Sequence, residues 1–305
     1  MSFSTISFEA ADPMLDWSAL TRRLADGHKY RKAEIKDVFL FREPDTLLSR
    51  AAWIDGLGQV VKTATVFPDN PKSGLPSIHG AVSLFSDETG ALDAIIDFSL
   101  VTKWKTAADS LLAAKHLARP ESKNILIVGS GQVARSMVHA YRSHFVDAKV
   151  AIWGRTKEKA EQLARDCACE SVHDLSAAVA RADIICTATM SKTPIISGEW
   201  LRPGQHLDLI GAFRPDMREV DDAALMRAEV FVDSFETTLD HIGELRIPLE
   251  NGAISREDVI ADFYDLDRMN RSSDDVITIA KNGGGAHLDL MTSRYIVDVF
   301  TSAQS

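Results

Sequence analysis

The stretch Asn124-Ile-Leu-Ile-Val-Gly129-Ser-Gly131-Gln-Val-Ala134 decides the fold of this 305-residue chain. A β-branched apolar run breaks into Gly-x-Gly-x-x-Ala and continues as an amphipathic segment, which is typical of a strand, a tight turn and a helix. Gly129 permits the turn, Gly131 lets the backbone approach phosphate oxygens, and the small Ala134 allows close helix packing. Free N–H groups at a helix N-terminus favour an anion. The stretch therefore predicts a dinucleotide site whose contacts come from Gly129, Ser130, Gly131, Gln132 and Val133.

The next predicted strand indicates which dinucleotide binds. An NAD site places Asp or Glu about 20 residues after the glycine turn, to accept from the ribose 2′-hydroxyl. Strand 149–153 is instead followed by Gly154-Arg155-Thr156-Lys157. Because a guanidinium suits a phosphate better than a neutral hydroxyl, Arg155 and Thr156 favour NADPH, with NADH still possible. The alternative interpretation is that Arg155 and Lys157 only form the solvated start of the following helix.

From residue 124 short apolar strands alternate with helices, a pattern typical of a parallel sheet covered on both faces. The predicted fold class is therefore α/β, with a doubly wound Rossmann domain whose ligands bind beyond the carboxyl ends of the strands. Candidate cofactor contacts lie at the ends of two of those strands, at Thr187, Ala188, Thr189 and Gly211, and Lys281, shortly before three consecutive glycines, is a further candidate. Ordinary turn residues would explain the same pattern. Three glycines at 283–285 indicate either a close ligand or crossing chain, or a flexible hinge.

The first 118 residues have a different pattern, because alternating strands dominate and helices are few. The sequence predicts a helix over 15–27, strands over 35–42, 46–54, 59–67, 78–85 and 92–98, and a helix over 105–117. The helix ends before Arg119-Pro120, because proline disfavours helical continuation. This part of the chain is predicted to be a mixed α+β domain.

Composition excludes several classes of protein. A formal net charge of −10 with 44 acidic residues argues against a nucleic-acid partner. No apolar run reaches the ~18 residues of a membrane span, and no basic and apolar leader begins the sequence. Three cysteines make no disulfide framework, and although Cys167-Ala-Cys169 could form half of a metal site, no second Cys or His pair lies near it at ligand spacing. We therefore expect a cytoplasmic protein without a metal or a membrane partner.

Several segments together carry a family resemblance, from about residue 20 to the end. They are Lys62-Thr-Ala-Thr-Val-Phe-Pro with Asn70-Pro71 and Gly74-Leu-Pro76, Lys105-Thr-Ala-Ala-Asp-Ser110, the glycine turn, Ile152-Trp-Gly-Arg-Thr-Lys157 and Gly211-Ala-Phe-Arg-Pro-Asp-Met-Arg-Glu219. The chain resembles the ornithine cyclodeaminase/mu-crystallin family, and is more similar to its NADPH-dependent ketimine reductases than to the NAD-dependent cyclodeaminases.

The resemblance implies roles for the domains and for individual residues. Residues 1–118 with 286–305 would form the substrate-binding and dimerisation domain of a homodimer, and residues 119–285 the dinucleotide-binding domain. Lys62 corresponds to the family's active-site lysine, beside the substrate carboxylate and the reacting carbon. Ser77 falls where the family has a hydroxyl near the substrate. His79 and His287 lie in segments near the family's active site, although a structural role is the simpler interpretation of each.

Two departures from the family pattern shape the expected reaction. Lys105 stands where the family usually has Arg, so a planar carboxylate clamp becomes a point charge. Phe213 stands where cyclodeaminases have an acid, so a proton acceptor is replaced by an apolar wall. With Lys62 and Lys105 as catalytic candidates, the expected activity is reduction of a cyclic ketimine carboxylate such as Δ1-pyrroline-2-carboxylate or Δ1-piperideine-2-carboxylate. The alternatives are an ornithine cyclodeaminase, an alanine-type amino acid dehydrogenase, or a non-catalytic NADPH-binding protein.

Overall fold

A computed structural model describes residues 3–304. The strands are β1 (Ser4–Ile6), β2 (Glu34–Arg42), β3 (Asp45–Ile54), β4 (Gly58–Val66), β5 (Ile78–Phe85), β6 (Leu92–Asp97), β7 (Asn124–Val128), β8 (Lys149–Trp153), β9 (Glu170–Ser171), β10 (Ile184–Thr187), β11 (His206–Leu209), β12 (Ala228–Val232) and β13 (Ile277–Lys281). The α-helices are α1 (Phe8–Ala11), α2 (Trp17–Gly27), α3 (Phe98–Leu117), α4 (Gln132–His144), α5 (Lys157–Asp166), α6 (Leu175–Arg181), α7 (Asp222–Met226), α8 (Phe235–Thr238), α9 (Gly243–Glu250) and α10 (Ala286–Ser302).

The described chain divides into two compact units. Unit 1 contains residues 3–105 and 285–304, and unit 2 contains residues 106–284. The division falls inside α3, between Lys105 and Thr106, whereas the sequence analysis placed it at the end of that helix. The chain leaves unit 2 at Gly284 and its last helix, α10, belongs to unit 1.

Unit 1 is built on a six-stranded mixed sheet in the order β1-β6-β5-β4-β3-β2. β1 pairs parallel with β6, and the other neighbours are antiparallel. Strand β4 alternates in burial, so Val60, Lys62 and Ala64 point to the same buried face. Helix α10 packs against β3 and β4. The sheet thus places a lysine where alternation calls for an apolar residue.

Unit 2 contains a seven-stranded, all-parallel sheet in the order β12-β13-β11-β10-β7-β8-β9. From β7 the chain proceeds outward through β8 and β9, and then returns to β10 on the other side of β7. The direction of winding therefore changes between β7 and β10. In doubly wound sheets, ligands bind at this switch point, beyond the carboxyl ends of the strands. The predicted α/β fold class is confirmed, and the glycine turn that follows β7 lies at the switch point.

The five strands predicted for unit 1 are confirmed to within a residue at each end, whereas β1 and α1 were not predicted, and α3 and, in unit 2, β13 differ from the prediction. Helix α3 begins at Phe98, earlier than the predicted 105, because the Asp97 carboxylate accepts from the Leu100 N–H at 2.9 Å and caps its first turn. The aromatic and β-branched residues there had extended the strand prediction. Strand β13 was not predicted separately, because its apolar run merges into the glycines that follow.

Those glycines have a steric explanation. A Cβ on Gly283 would lie 2.6 Å from Thr238 Oγ1, and Gly284 has a positive φ of 69°. The Gly284 N–H donates to Asp233 Oδ2 at 2.6 Å. Of the two interpretations of this segment, the structure supports the crossing chain, because the segment passes directly against α8.

Candidate active site

Unit 1 brings together a set of charges around Lys62, of which Lys62, Lys105 and Asp289 are buried, Arg50 is half-buried and Asp37 is exposed. The β-sheet register places Arg50 on β3 directly opposite Lys62 on β4, and Asp37 on β2 directly opposite Arg50. Asp289 lies on α10, which packs against β3 and β4, and its Oδ1 accepts from Lys62 Nζ at 2.8 Å. Lys105 on α3 is buried and acts electrostatically on both Lys62 and Asp289. These five residues are the charged cluster.

Further contacts hold the side chains of Arg50 and Lys62. Arg50 Nη2 donates to Asp37 Oδ2 at 2.6 Å, and Arg50 Nη1 lies 4.0 Å from Asp289 Oδ2. Lys62 Nζ lies 4.7 Å from the centre of the Phe98 ring, within the range of a cation–π contact. Since Phe98 is the first residue of α3, the same helix supplies both this ring and Lys105.

The surroundings make Lys62 a titrating group near neutral pH. Burial disfavours its charged form and lowers its pKa to about 8. The Asp289 carboxylate acts in the opposite direction, and the Lys105 charge adds to the lowering. At pH 7 the ammonium is therefore still mostly charged, but it gives up its proton far more readily than a surface lysine.

Two histidines lie beside the charged cluster. The His28 and His287 rings meet edge to face at 5.3 Å between centroids, and His28 Nδ1 lies 2.7 Å from the Leu24 carbonyl oxygen. Burial and the surrounding positive charges hold the pKa of His287 well below its usual range. Its imidazole is consequently neutral near pH 7. His79 is exposed on β5, and Ser77 is half-buried just before it, with its carbonyl accepting from the Phe67 N–H at 2.7 Å.

In unit 2, the two glycines of the turn have different roles. Gly129 has a φ of 145°, and a Cβ there would lie 2.6 Å from the Ala188 carbonyl oxygen. This glycine therefore lets the β7 and β10 ends approach each other. A Cβ on Gly131 would meet nothing within 4 Å. Gly131 is the N-cap of α4, and with Gln132 it is exposed, so open space lies in front of the helix N-terminus. Ser130 and Val133 are half-buried on either side.

The carboxyl ends of β10 and β11 are joined by a buried glutamate that the sequence analysis did not identify as central. Glu219 Oε1 accepts from the Thr189 N–H at 2.8 Å and its hydroxyl at 2.6 Å. Its Oε2 accepts from the Thr187 hydroxyl at 2.7 Å and from the N–H groups of Gly211 and Ala212 at 2.8 and 3.3 Å. A Cβ on Gly211 would lie 2.3 Å from this carboxylate, so glycine is needed there.

Glu219 differs from its charged neighbours Asp216 and Arg218 in its orientation. Asp216 pairs with Lys192 and Arg214, and Arg218 with Asp222, but Glu219 points inward. The hydroxyls of Thr187 and Thr189, two of the candidate cofactor contacts, donate to Glu219. The local sequence alone could not reveal this, because the donors lie on two segments that are distant in sequence from Glu219.

Lys281 also differs from its expected role. Its ammonium is fully buried and donates to the carbonyl oxygens of Leu209, Ala212 and Asn282 at 2.7, 2.7 and 2.9 Å. All three of its protons are thus used to join the ends of β11 and β13. A direct contact between this ammonium and a cofactor would require one of these bonds to break, so the geometry does not favour the predicted contact.

The predicted phosphate-binding residues are accessible. Arg155 and Thr156 are exposed after β8, and Thr156 is the N-cap of α5. Gly154 lies close to the Ser130 side chain, since a Cβ there would come within 3.2 Å of its Oγ. The glycine turn after β7 and Arg155 after β8 therefore lie at the carboxyl ends of two neighbouring parallel strands. Phe213 is 57% exposed after β11.

Within residues 3–304, no group of three or more histidine, cysteine, aspartate or glutamate side chains is arranged to hold a metal ion. Over the same range, no helix combines the length and the apolar character that crossing a bilayer requires.

The family model described as the ornithine cyclodeaminase/mu-crystallin family matches residues 54–304. The chain belongs to this family. Over 303 residues it is 49% identical to the Δ1-pyrroline-2-carboxylate reductase of Paracoccus denitrificans, an alignment that covers 96% of each protein.

Solved structures of the same fold include a dimeric archaeal alanine dehydrogenase with bound NAD, at a TM-score of 0.91 and 26% identity, covering 100% of this chain and 98% of that one. The Thermococcus litoralis Δ1-pyrroline-2-carboxylate reductase, in complex with NADH and L-proline, has a TM-score of 0.89 at 23% identity, with 99% and 98% covered. Both structures align with nearly the whole of this chain.

Proposed function

We propose that this family member is an NAD(P)H-dependent reductase of cyclic ketimine carboxylates. It would convert Δ1-pyrroline-2-carboxylate or Δ1-piperideine-2-carboxylate to L-proline or L-pipecolate. The observation that carries the proposal is the 49% identity to the Paracoccus denitrificans Δ1-pyrroline-2-carboxylate reductase over 96% of both chains.

The charged cluster supports a substrate with one carboxylate. It contains three cations, Arg50, Lys62 and Lys105, and two carboxylates, Asp37 and Asp289. Burial strengthens the attraction of these cations for an anion, and a substrate carboxylate is such an anion. Lys62 and Lys105 would bind it, with the Ser77 hydroxyl as a further contact.

The same cluster supports chemistry on a C=N bond. A protonated imine is a much better hydride acceptor than a neutral one. Lys62, with its pKa lowered to about 8 by burial, is able to hold a proton near the imine nitrogen at neutral pH. A reduced nicotinamide supplies the hydride when bound. Phe213 carries no ionisable group, which favours reduction over the amino-group activation that cyclodeamination needs.

The turn residues of unit 2 fit a dinucleotide with a 2′-phosphate. The open space at Gly131 and the N-terminus of α4 suit the diphosphate. The exposed Arg155, with Thr156 at the start of α5, suits the extra phosphate of NADPH. We therefore propose NADPH as the preferred cofactor, with NADH as a weaker substitute.

We further propose that the enzyme is a cytoplasmic homodimer formed through unit 1. The four consecutive residues Val38–Phe41 of the edge strand β2 are each at least 50% exposed. Exposed apolar edge strands are uncommon unless another chain covers them. A second copy is the simplest cover, and light scattering of the purified protein tests it. The three cysteines are free, which suits a reducing compartment.

The direct test mixes purified protein with NADPH and each imine and follows the loss of nicotinamide absorbance. We expect turnover of at least one imine, and a Lys62→Met variant that retains NADPH binding but loses about a hundredfold or more in kcat/KM, as loss of a proton-transfer group does. Release of ammonia from ornithine, or cofactor reduction by alanine, would instead indicate a cyclodeaminase or a dehydrogenase. NADPH binding without any turnover would contradict the proposal.

A further inference from the structure

Asp289 is an ionised side chain without direct access to solvent. It lies in the first turn of α10, and its side chain is 0% exposed. Its pKa stays below the usual range: burial raises it, and the charges of Lys62, Lys105 and Arg50 more than offset that effect. A buried carboxylate is costly unless it is paired, so its position is defined by its partners.

The Lys62 ammonium is held on two sides. Asp289 Oδ1 accepts one of its protons at 2.8 Å, and the Phe98 ring lies 4.7 Å from Nζ. An ammonium has three protons in a tetrahedral arrangement. Once one proton is directed at Asp289, the directions of the other two are confined to a cone about that bond. The carboxylate therefore determines both where Nζ lies and which way its remaining protons can point.

The electrostatic balance at Lys62 also depends on Asp289. Burial, Lys105 and Arg50 all disfavour a charge on Nζ, and Asp289 favours it. Without the carboxylate, Lys62 would keep the neighbouring charges of Lys105 and Arg50 and would lose the hydrogen bond and the opposite charge that favour its own protonation.

We propose that Asp289 is a positioning residue that acts through Lys62, holding its ammonium in place and in its charged form for the reaction. The kinetic part of this inference rests on the proposed function. The effect of Asp289 on the position and charge of Lys62 does not depend on that function. Asp289 itself touches neither the substrate nor the cofactor in this role.

Titration of neighbouring groups is separable from that of Lys62. The charged or titratable groups next to Lys62, Asp289 and His287 are Arg50 on β3 with its partner Asp37 on β2, Lys105 on α3, His28 after α2, and Lys32 in the segment before β2. Farther along α10, Asp298 pairs with Arg23 on α2, and Arg294 pairs with Asp93 on β6. Arginine stays charged throughout the accessible range, and the pKa of His287 is held well below 6.5 by burial and the nearby cations. A change in activity between pH 7 and 9 is therefore assigned to a lysine, and Lys62 is the one that Asp289 contacts.

The test is the pH profile of kcat/KM for wild type and Asp289→Asn, with Δ1-pyrroline-2-carboxylate and NADPH. In wild type, the basic limb should fall near pH 8, where Lys62 loses its proton. In the variant, this limb should move to lower pH by at least about one unit, which is a loss of about fivefold at the pH of the wild-type midpoint and of about tenfold well above it. The control is Asp93→Asn, which removes the partner of Arg294 on the same helix, 2.9 Å away, and should leave the profile unchanged.

A structural role alone would give a different result. If Asp289→Asn lowered kcat/KM equally at every pH, or lowered only the melting temperature, the proposal would be overturned. If this variant does not fold, Lys62→Met and the double variant Lys62→Met/Asp289→Asn replace it, because removing both buried charges leaves neither unpaired. The two should have equal kcat/KM within about twofold, and a further large loss in the double variant would contradict action through Lys62.

A second measurement separates this inference from the proposed function. Trace acetylation with acetic anhydride labels only neutral amines, and peptide mass spectrometry reads the labelling of Lys62 as a function of pH. In Asp289→Asn, the Lys62 labelling curve should move to lower pH by about one unit or more. If the wild type reduced no imine, the proposed function would fail, and this curve would still decide the inference: a shift supports it, and an unchanged curve overturns it.

Discussion

Replacing Glu219 with Gln should destabilise unit 2 although the side chain keeps its size. One carboxylate oxygen becomes an NH2 group, and either orientation of the amide turns that group toward a backbone N–H. On the Oε1 side it would face the Thr189 N–H, and on the Oε2 side those of Gly211 and Ala212. Hydroxyls can rotate to become acceptors, but backbone N–H groups cannot.

The size of the effect follows from these contacts. Losing a hydrogen bond to a charged acceptor costs about 1.5–3 kcal/mol, and leaving a buried N–H unpaired costs about 1–3 kcal/mol. We therefore expect Glu219→Gln to lower the free energy of unfolding by about 3–5 kcal/mol, which corresponds to a fall in melting temperature on the order of 10 °C for a unit of this size. Because the donors end β10 and β11 beside the switch point, the Kd of NADPH should also rise.

The measurements are thermal unfolding followed by circular dichroism and fluorescence titration with NADPH. The matched control is Glu199→Gln, an exposed glutamate in the same unit, which should unfold within about 0.5 kcal/mol of wild type. A Glu219→Gln protein that unfolds within about 1 kcal/mol of wild type would refute the reasoning, since it would mean that the five contacts contribute far less than charged hydrogen bonds do.

Three other predictions concern the cofactor and the pH dependence. Arg155→Ala should raise the Kd of NADPH by about 10–100-fold and that of NADH by much less, because only the 2′-phosphate loses a charge-assisted bond; an equal loss for both, by fluorescence titration, would refute the assignment. Gly129→Ala should lower the melting temperature, because its Cβ would meet the Ala188 carbonyl, whereas Gly131→Ala should leave stability nearly unchanged and weaken NADPH binding; the opposite ranking would contradict both roles. Wild-type kcat/KM should fall above about pH 8 as Lys62 deprotonates, and a rate constant that stays level to pH 9.5 would exclude Lys62 as the titrating group.

The sequence by itself determined the features that depend on near neighbours. The glycine turn, the alternating strands of unit 1 and the strand-helix repeats of unit 2 are local patterns, because backbone sterics and hydrophobic periodicity act over a few residues. Arg155 and Thr156, directly after β8, also form a local pattern, and they predicted a phosphate contact without knowledge of the tertiary structure. Lys62, a lone lysine within a strand, was identified only through the family resemblance, since periodicity gives a single polar residue no role.

Only the tertiary structure decided which distant groups share a site. Lys62 and Asp289 are 227 positions apart, and their contact depends on α10 packing over β4. Arg50 lies opposite Lys62 because of strand register, and Glu219 accepts from two segments, at the ends of β10 and β11. Lys281, a candidate cofactor contact, is fully buried, and its ammonium donates to the carbonyl oxygens of Leu209, Ala212 and Asn282. Such partners are selected by the packing of whole faces, because a buried charge is tolerated only where the fold brings an opposite charge or a polar group within reach.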